Sequence, residues 1–232
     1  MRHRIFIDAI QPTVTVTVDG DEFHHSIRVV RVREGEEVEV FDRGGKMAKA
    51  VVESIARDQA VLRVGEEIAS RESKIGLDLA MAIIQLDKFE LVLQKATELG
   101  VRSIIPLITE RVELRPERYS GKGGRWQKIV FEAVKQSGRS IVPIIEAPTA
   151  FEDILKREGT KILFDADAAP ATRQPSNPVT LMIGPEGGWS DDELALARAH
   201  EVTFDRLGPR RLRAETAAIA ALAILTDRYG DL

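Results

Sequence analysis

From residue 75 onward the chain alternates short apolar runs with amphipathic stretches, and this rhythm limits the fold more than any other feature. "IGLDLAMAII" (75–84), "SIIPLIT" (103–109), "VPIIEA" (142–147), "KILFDAD" (161–167), "VTLMIGP" (179–185) and "VTFDRLG" (202–208) read as strands. Between them, "KFELVLQKATELG" (88–100) reads as a helix closed by Gly100, with further helices over 150–158, 191–200 and 215–228. Trp126, Ile129, Val130, Ala133 and Val134 recur at helical spacing and mark one buried face ending at Gly138. Strands that alternate with helices predict a mainly parallel sheet covered on both faces.

Upstream of "ASRESK" (69–74) the pattern is different. "TVTVTV" (13–18) alternates strictly, "EEVEVFD" and "KMAKAVVES" flank an "RGG" turn (43–45), and "QAVLRVGEEI" adds another strand. Several short strands in this length predict a small β-barrel. The organisation read from the sequence is therefore a β domain over 1–70 and an α/β domain over 74–232.

Composition narrows the chemistry. With no cysteine, thiolate metal sites and cysteine nucleophiles are excluded, and four scattered histidines suggest no metal centre. The net charge of −4 argues against a general nucleic-acid coat, so any nucleic-acid contact must come from a local patch. The absence of a signal-like or membrane-spanning apolar run leads us to expect a cytoplasmic protein without membrane contact.

Two segments carry the functional signal. "LMIGPEGGWSDDEL" (181–194) has the strand–glycine turn–helix outline of a phosphate cradle, with Ser190 and Glu193 spaced as a capping box. Yet Glu186, Asp191 and Asp192 would repel a phosphate there, no lysine lies near in sequence, and neither P-loop nor dinucleotide fingerprints are present. An uncharged or cationic nucleoside such as S-adenosylmethionine, held by exposed backbone, fits the loop; the alternative is a tight turn with no ligand. The second segment, "RLGPRRLRAETAAIAALAIL" (206–225), crowds Arg210, Arg211 and Arg213 at a strand end before an Ala-rich helix apolar on all sides. Such a helix is expected to be buried on most of its surface.

Taken together, "LMIGPEGGWSDDEL" and "LGPRRLRAETAAIAAL" resemble the paired signature of the bacterial 16S ribosomal RNA uracil-N3 methyltransferases, the RsmE family of the SPOUT class. "HHSIRVVRVREGEEVEVFD" (24–42), "KFELVLQKATELGV" and "RWQKIVFEAVKQSGR" (125–139) are similar to further family segments, and Ala214 departs from a frequent threonine. The resemblance implies an N-terminal PUA-like barrel that grips RNA and a C-terminal domain with a deep trefoil knot. It also implies a homodimer and S-adenosylmethionine-dependent methylation of uracil N3 at one uridine of 16S ribosomal RNA in the small subunit, without metal.

For the cofactor, the resemblance implicates Leu181, Ile183, Gly184, Pro185, Glu186, Gly187, Gly188, Leu207, Gly208, Arg211, Leu212, Arg213, Thr216 and Ala217. Arg213 is the first candidate to stabilise charge on the uracil, with Arg125 and Arg139 reaching the site from the same or the partner chain. Glu215 is either the acceptor of the N3 proton or only a helix N-terminal carboxylate. RNA contacts are expected from Arg2, Arg4, His25, Arg28 and Arg31 and from the basic loop with Lys122 and Arg125. Competing readings are another SPOUT methyltransferase acting on ribose or transfer RNA, and a nonenzymatic RNA-binding protein.

Overall fold

The computed structural model describes residues 3–11, 14–112, 119–171 and 175–230. The chain divides into two units, one of Met1–Glu72 with Val134–Val142 and one of Ser73–Ala133 with Pro143–Leu232.

In the first unit β1 (Arg4–Phe6), β2 (Thr15–Val18), β3 (Glu37–Phe41), β4 (Met47–Ile55) and β5 (Ala60–Ile68) form one sheet in the order β1-β3-β4-β5-β2. Only the β1–β3 pair is parallel. The Glu-Val-Glu-Val alternation of β3 buries Val38 and Val40, which meet Val52, Leu62 and Val64 in one apolar core. At the predicted "RGG" hairpin, Asp42 makes the turn. Its Oδ1 accepts the N–H groups of Gly44 and Lys46 at 2.9 and 3.0 Å, and its Oδ2 that of Ile10 at 2.9 Å. These pairings leave β1 and β2 as edge strands, so a closed barrel goes beyond them.

The structure differs from the sequence reading at two places here. Residues 20–29 are helical, α1 (Gly20–Phe23) running on as a π-helix His24–Val29, because Phe23 and Ser26 turn inward where no two-residue alternation exists. Residues 134–142, assigned from sequence to the second domain, also belong to this unit. Buried charges hold them. Lys135 Nζ reaches both Glu22 oxygens at 3.1 Å, Arg4 Nη1 donates to the Val134 carbonyl at 2.8 Å, and Arg139 Nη2 meets Glu72 at 2.7 Å. Glu72 also accepts the N–H groups of Ser140 and Ile141 at 2.8 and 3.0 Å.

In the second unit β6 (Leu77–Ala82), β7 (Ser103–Ile108), β8 (Ile144–Ile145), β10 (Thr160–Phe164), β11 (Val179–Ile183) and β12 (Thr203–Asp205) lie in the order β12-β10-β11-β6-β7-β8, with β9 (Thr149–Ala150) also on β7. All these pairs are parallel, as the alternation predicts. Every residue of β6 and β11 is buried, as central strands covered on both faces should be. The helices are α2 (Leu86–Glu98), α3 (Gly123–Ser137), α4 (Phe151–Leu155), α5 (Asp191–Ala199) and α6 (Ala214–Tyr229).

Helix α6 packs on α2, β11 and β6 through a stripe that includes Ala218, Ala221, Leu222 and Leu225. Most of the remaining residues are partly covered, and Thr216, Ile224, Asp227 and Arg228 are exposed, Ile224 by 36%.

Burial pushes the Glu72 carboxyl up, but the Arg139 pair and the two N–H donors outweigh burial and hold it below its ordinary value of 4.5. A carboxyl that titrates lower when folded contributes stability at pH above its unfolded value, and that contribution is lost as pH falls through the folded value. The first unit is therefore expected to lose stability below about pH 4.5, and Glu72→Gln should flatten that slope. Urea denaturation at stepped pH checks it; identical slopes for both proteins would show that the pair does not matter.

Candidate functional site

In a parallel sheet all C-terminal strand ends share one edge, where α/β folds form their crevices. Here the segments after β10, β11 and β12 enclose a cavity of about 630 Å³, a volume suited to a small-molecule ligand.

The loop after β11 is rigid. A Cβ on Gly184 would stand 3.0 Å from the indole of Trp189, which itself donates to the Phe164 carbonyl at 3.0 Å and lies 5.2 Å from the Phe151 ring. Gly188 has φ +71°, and its N–H closes a turn on the Pro185 carbonyl at 2.9 Å. Across the cavity Gly208 has φ +111°. The capping box forms as the sequence predicts, Ser190 Oγ accepting from the Glu193 N–H at 3.2 Å and Glu193 from that of Ser190 at 2.9 Å. The free oxygen of Glu193 accepts the Glu110 N–H at 3.0 Å, which ties the end of β7 to the loop. Arg111, next along, donates from Nη1 to the Gly187 carbonyl at 3.1 Å.

The glycine loop carries no positive charge of its own, and the fold supplies it from elsewhere. Lys88, at the start of α2, approaches Glu186 to 3.5 Å, and Arg111, Arg206, Arg210, Arg211 and Arg213 all line the cavity. Facing them are Asp165, Asp167, Glu186 and Asp191. The walls thus carry both signs over an apolar floor that includes Phe164, Ile183, Leu194 and Leu212. Such walls can take a ligand bearing both charges on an apolar body.

Of the expected cofactor residues, Ile183, Gly184, Pro185, Glu186, Gly187, Gly188, Leu207, Gly208, Arg211, Leu212, Arg213 and Ala217 line the cavity. Leu181 does not; it is fully buried within β11, in register with Leu79 and Ile162. Thr216 is exposed on α6 away from the lining. Glu215 lies outside the lining too, beside Ala214 that belongs to it, and its Oε2 is buried without a hydrogen-bond partner.

The structure does not bring Arg125 and Arg139 to the cavity lining. Arg125 is committed to Glu90 through two contacts of 2.6 and 2.7 Å, and Arg139 is buried against Glu72 in the first unit. Among the expected RNA residues, Arg4 is buried beneath Phe41 and paired with Glu39, and Arg28 donates to the Arg57 carbonyl. His25 is half-buried, Arg31 and the region of Lys122 face solvent to differing degrees, and Arg2 lies outside the described residues.

Sequence reasoning missed Arg111, Phe164, Asp165, Asp167, Trp189, Arg206 and Arg210 as cavity residues. A signal existed for most of them, since they lie at or just past the C-terminal ends of predicted strands; for Arg111 nothing local announced its reach to Gly187.

Residues 71–226 match the model of the RNA methyltransferase domain, and residues 18–65 that of the RNA methyltransferase PUA domain. Fold and site thus define an RNA methyltransferase with a PUA domain. Proteins named ribosomal RNA small subunit methyltransferase E are similar over most of the chain. The one from Synechocystis is 35% identical, covering 90% of this chain and 72% of its own length. That from Rickettsia conorii is 31% identical, covering 95% and 93%. The Neisseria gonorrhoeae ribosomal RNA small subunit methyltransferase E, solved with S-adenosyl methionine bound, superposes with a TM-score of 0.91 at 31% identity over all of both chains. The chain belongs to the ribosomal RNA small subunit methyltransferase E family.

Because Gly184 leaves the indole of Trp189 no room for a Cβ, Gly184→Val should overpack this wall at a cost of about 1–3 kcal/mol. Thermal unfolding followed by tryptophan fluorescence checks it. An unchanged midpoint with native emission would show that the wall yields.

Proposed function

We propose that this chain methylates N3 of a uracil in 16S ribosomal RNA of the small subunit, using S-adenosylmethionine. The observation that carries this reading is the cavity itself: four glycines, Gly184, Gly187, Gly188 and Gly208, bring bare backbone to its walls, and Asp165, Asp167, Arg211 and Arg213 give those walls both signs of charge. An amino-acid nucleoside that combines a carboxylate, an ammonium, a sulfonium and an apolar base edge matches such walls. The relative from Neisseria gonorrhoeae, solved with that compound bound, supports the assignment. When bound, S-adenosylmethionine supplies a methyl group on a positively charged sulfur.

The chain's own residues then have three tasks. The loop 184–188, with Leu207, Gly208, Arg211 and Leu212 across the cavity, holds and orients the cofactor through backbone N–H and C=O groups, which lowers the entropic cost of alignment. Arg213, exposed on the cavity wall just before α6, donates to a uracil carbonyl oxygen and stabilises the negative charge left when N3 loses its proton. Glu215 accepts that proton.

The reading has a structural side. The C-terminal unit contains a trefoil knot, supported by the sheet order that sets the late strands β10 and β11 between β12 and β6. The protein is a homodimer, supported by Ile224, a large apolar residue of α6 that this chain leaves 36% exposed. The N-terminal unit is a barrel that contacts RNA, and the protein works in the cytoplasm, where its substrate is; no helix among the described residues is long and apolar enough to cross a membrane.

Methyl transfer from labelled S-adenosylmethionine to isolated small subunits, followed by nucleoside digestion and mass mapping, tests the reading. The expected product is N3-methyluridine; a label on ribose, on another base or nowhere would overturn it. Arg213→Ala should lower kcat by about two or more powers of ten, as loss of one such donor does. Affinity for S-adenosylhomocysteine, measured by calorimetry, should change far less. Loss of that affinity with kcat intact would move Arg213 to cofactor binding.

A further inference from the structure

We infer that Arg206 and Arg210 form a seat for RNA phosphates at the mouth of the cavity, distinct from the residues that hold the cofactor or act on the base. The inference rests on the proposed RNA substrate and specifies where its backbone lies.

Most arginines expected from the sequence to meet RNA are committed elsewhere. Arg4 is buried against Glu39, Arg28 bonds a backbone carbonyl, and Arg125 is held by Glu90. The segment 206–213 is different. It holds four arginines and no acidic residue, in a chain whose net charge is −4. Arg206, Arg210 and Arg213 are exposed, line the cavity and have no carboxylate within ion-pair distance among the described residues. Arg211 only approaches Asp167, at 4.0 Å, where both side chains are more than four-fifths exposed.

The neighbouring acid is turned away from them. Asp205 Oδ1 accepts the N–H groups of Ala171 and Arg206, both at 2.8 Å, so its carboxylate fixes the backbone at the base of the loop instead of neutralising it. Gly208 adopts φ +111° and Pro209 restricts the backbone that follows, in the turn between β12 and α6. A loop with exposed guanidiniums beside the cavity suits a polyanion with regularly spaced phosphates, because the planar forked donors match phosphate oxygens two at a time. Contacts of this kind position the strand and carry no sequence information.

The test compares the double variant Arg206→Gln/Arg210→Gln with the wild-type protein and with a rival variant in each unit, Arg31→Gln and Lys122→Gln. KM for small subunits should rise about tenfold in the first variant with kcat within about threefold, and the salt dependence should become shallower by roughly 0.7–0.9 per phosphate contact removed. Calorimetric affinity for S-adenosylhomocysteine should stay within about twofold, since phosphate contacts do not touch the cofactor. An unchanged KM and salt slope, a loss of cofactor affinity, or the whole effect appearing in either rival variant would each overturn the inference. Filter binding of small subunits without cofactor gives the same comparison independently of turnover. Failure of methylation in the wild-type protein would therefore refute the proposed reaction while leaving the seat measurable.

Discussion

The Glu193 carboxylate organises the candidate site. It is 8% exposed, and each oxygen holds a different piece of backbone, the N-terminus of α5 through Ser190 and the end of β7 through Glu110. A buried carboxylate is tolerable only when its oxygens are met, so these bonds are obligatory rather than decorative. They fix the glycine loop at both of its shoulders. Trp189, wedged against Gly184 and bonded to Phe164, then sets the wall between the loop and β10. The cavity's shape follows from three strand ends that cannot move independently.

Charge is distributed with similar economy. The protein as a whole is acidic, yet four arginines stand together along 206–213 and line the cavity, while Arg4 and Arg139 are spent in ion pairs inside the fold. In the first unit that spending has a structural result. Lys135 and Arg139, at and beyond the end of α3, are buried against Glu22 and Glu72, so a segment from the middle of the chain completes the β unit. Removing one partner of such a pair strands the other in a low-dielectric interior, which is why these positions tolerate little.

Apolar surface is treated less uniformly. The strands β6 and β11 are wholly buried, while α6, the most apolar helix, is buried along one stripe and leaves Ile224 exposed. A sheet core is closed by its own helices, whereas a helix laid on the outside of a sheet can cover only the face it presents to that sheet.

What the sequence by itself determined are the features carried by short-range physics. Period two predicts β3 to β5, period 3.6 predicts α2 and α3, and strand–helix alternation predicts the parallel sheet. The capping box of Ser190 and Glu193 was legible because its partners are three residues apart, and the glycine loop because its backbone demands are written in its own residues. The tertiary structure decided everything that depends on which distant residues meet. It brought Lys88 to Glu186, Arg111 to Gly187 and Asp165 to the arginine segment, turning an apparently anionic loop into a cavity of mixed charge. It withdrew Arg4, Arg125 and Arg139 into ion pairs and left Arg206 and Arg210 exposed. A charged side chain looks the same in sequence whether it will meet solvent, a ligand or a buried carboxylate. Its partner is chosen by the packing of strands and helices far apart in the chain, and no local pattern encodes that choice.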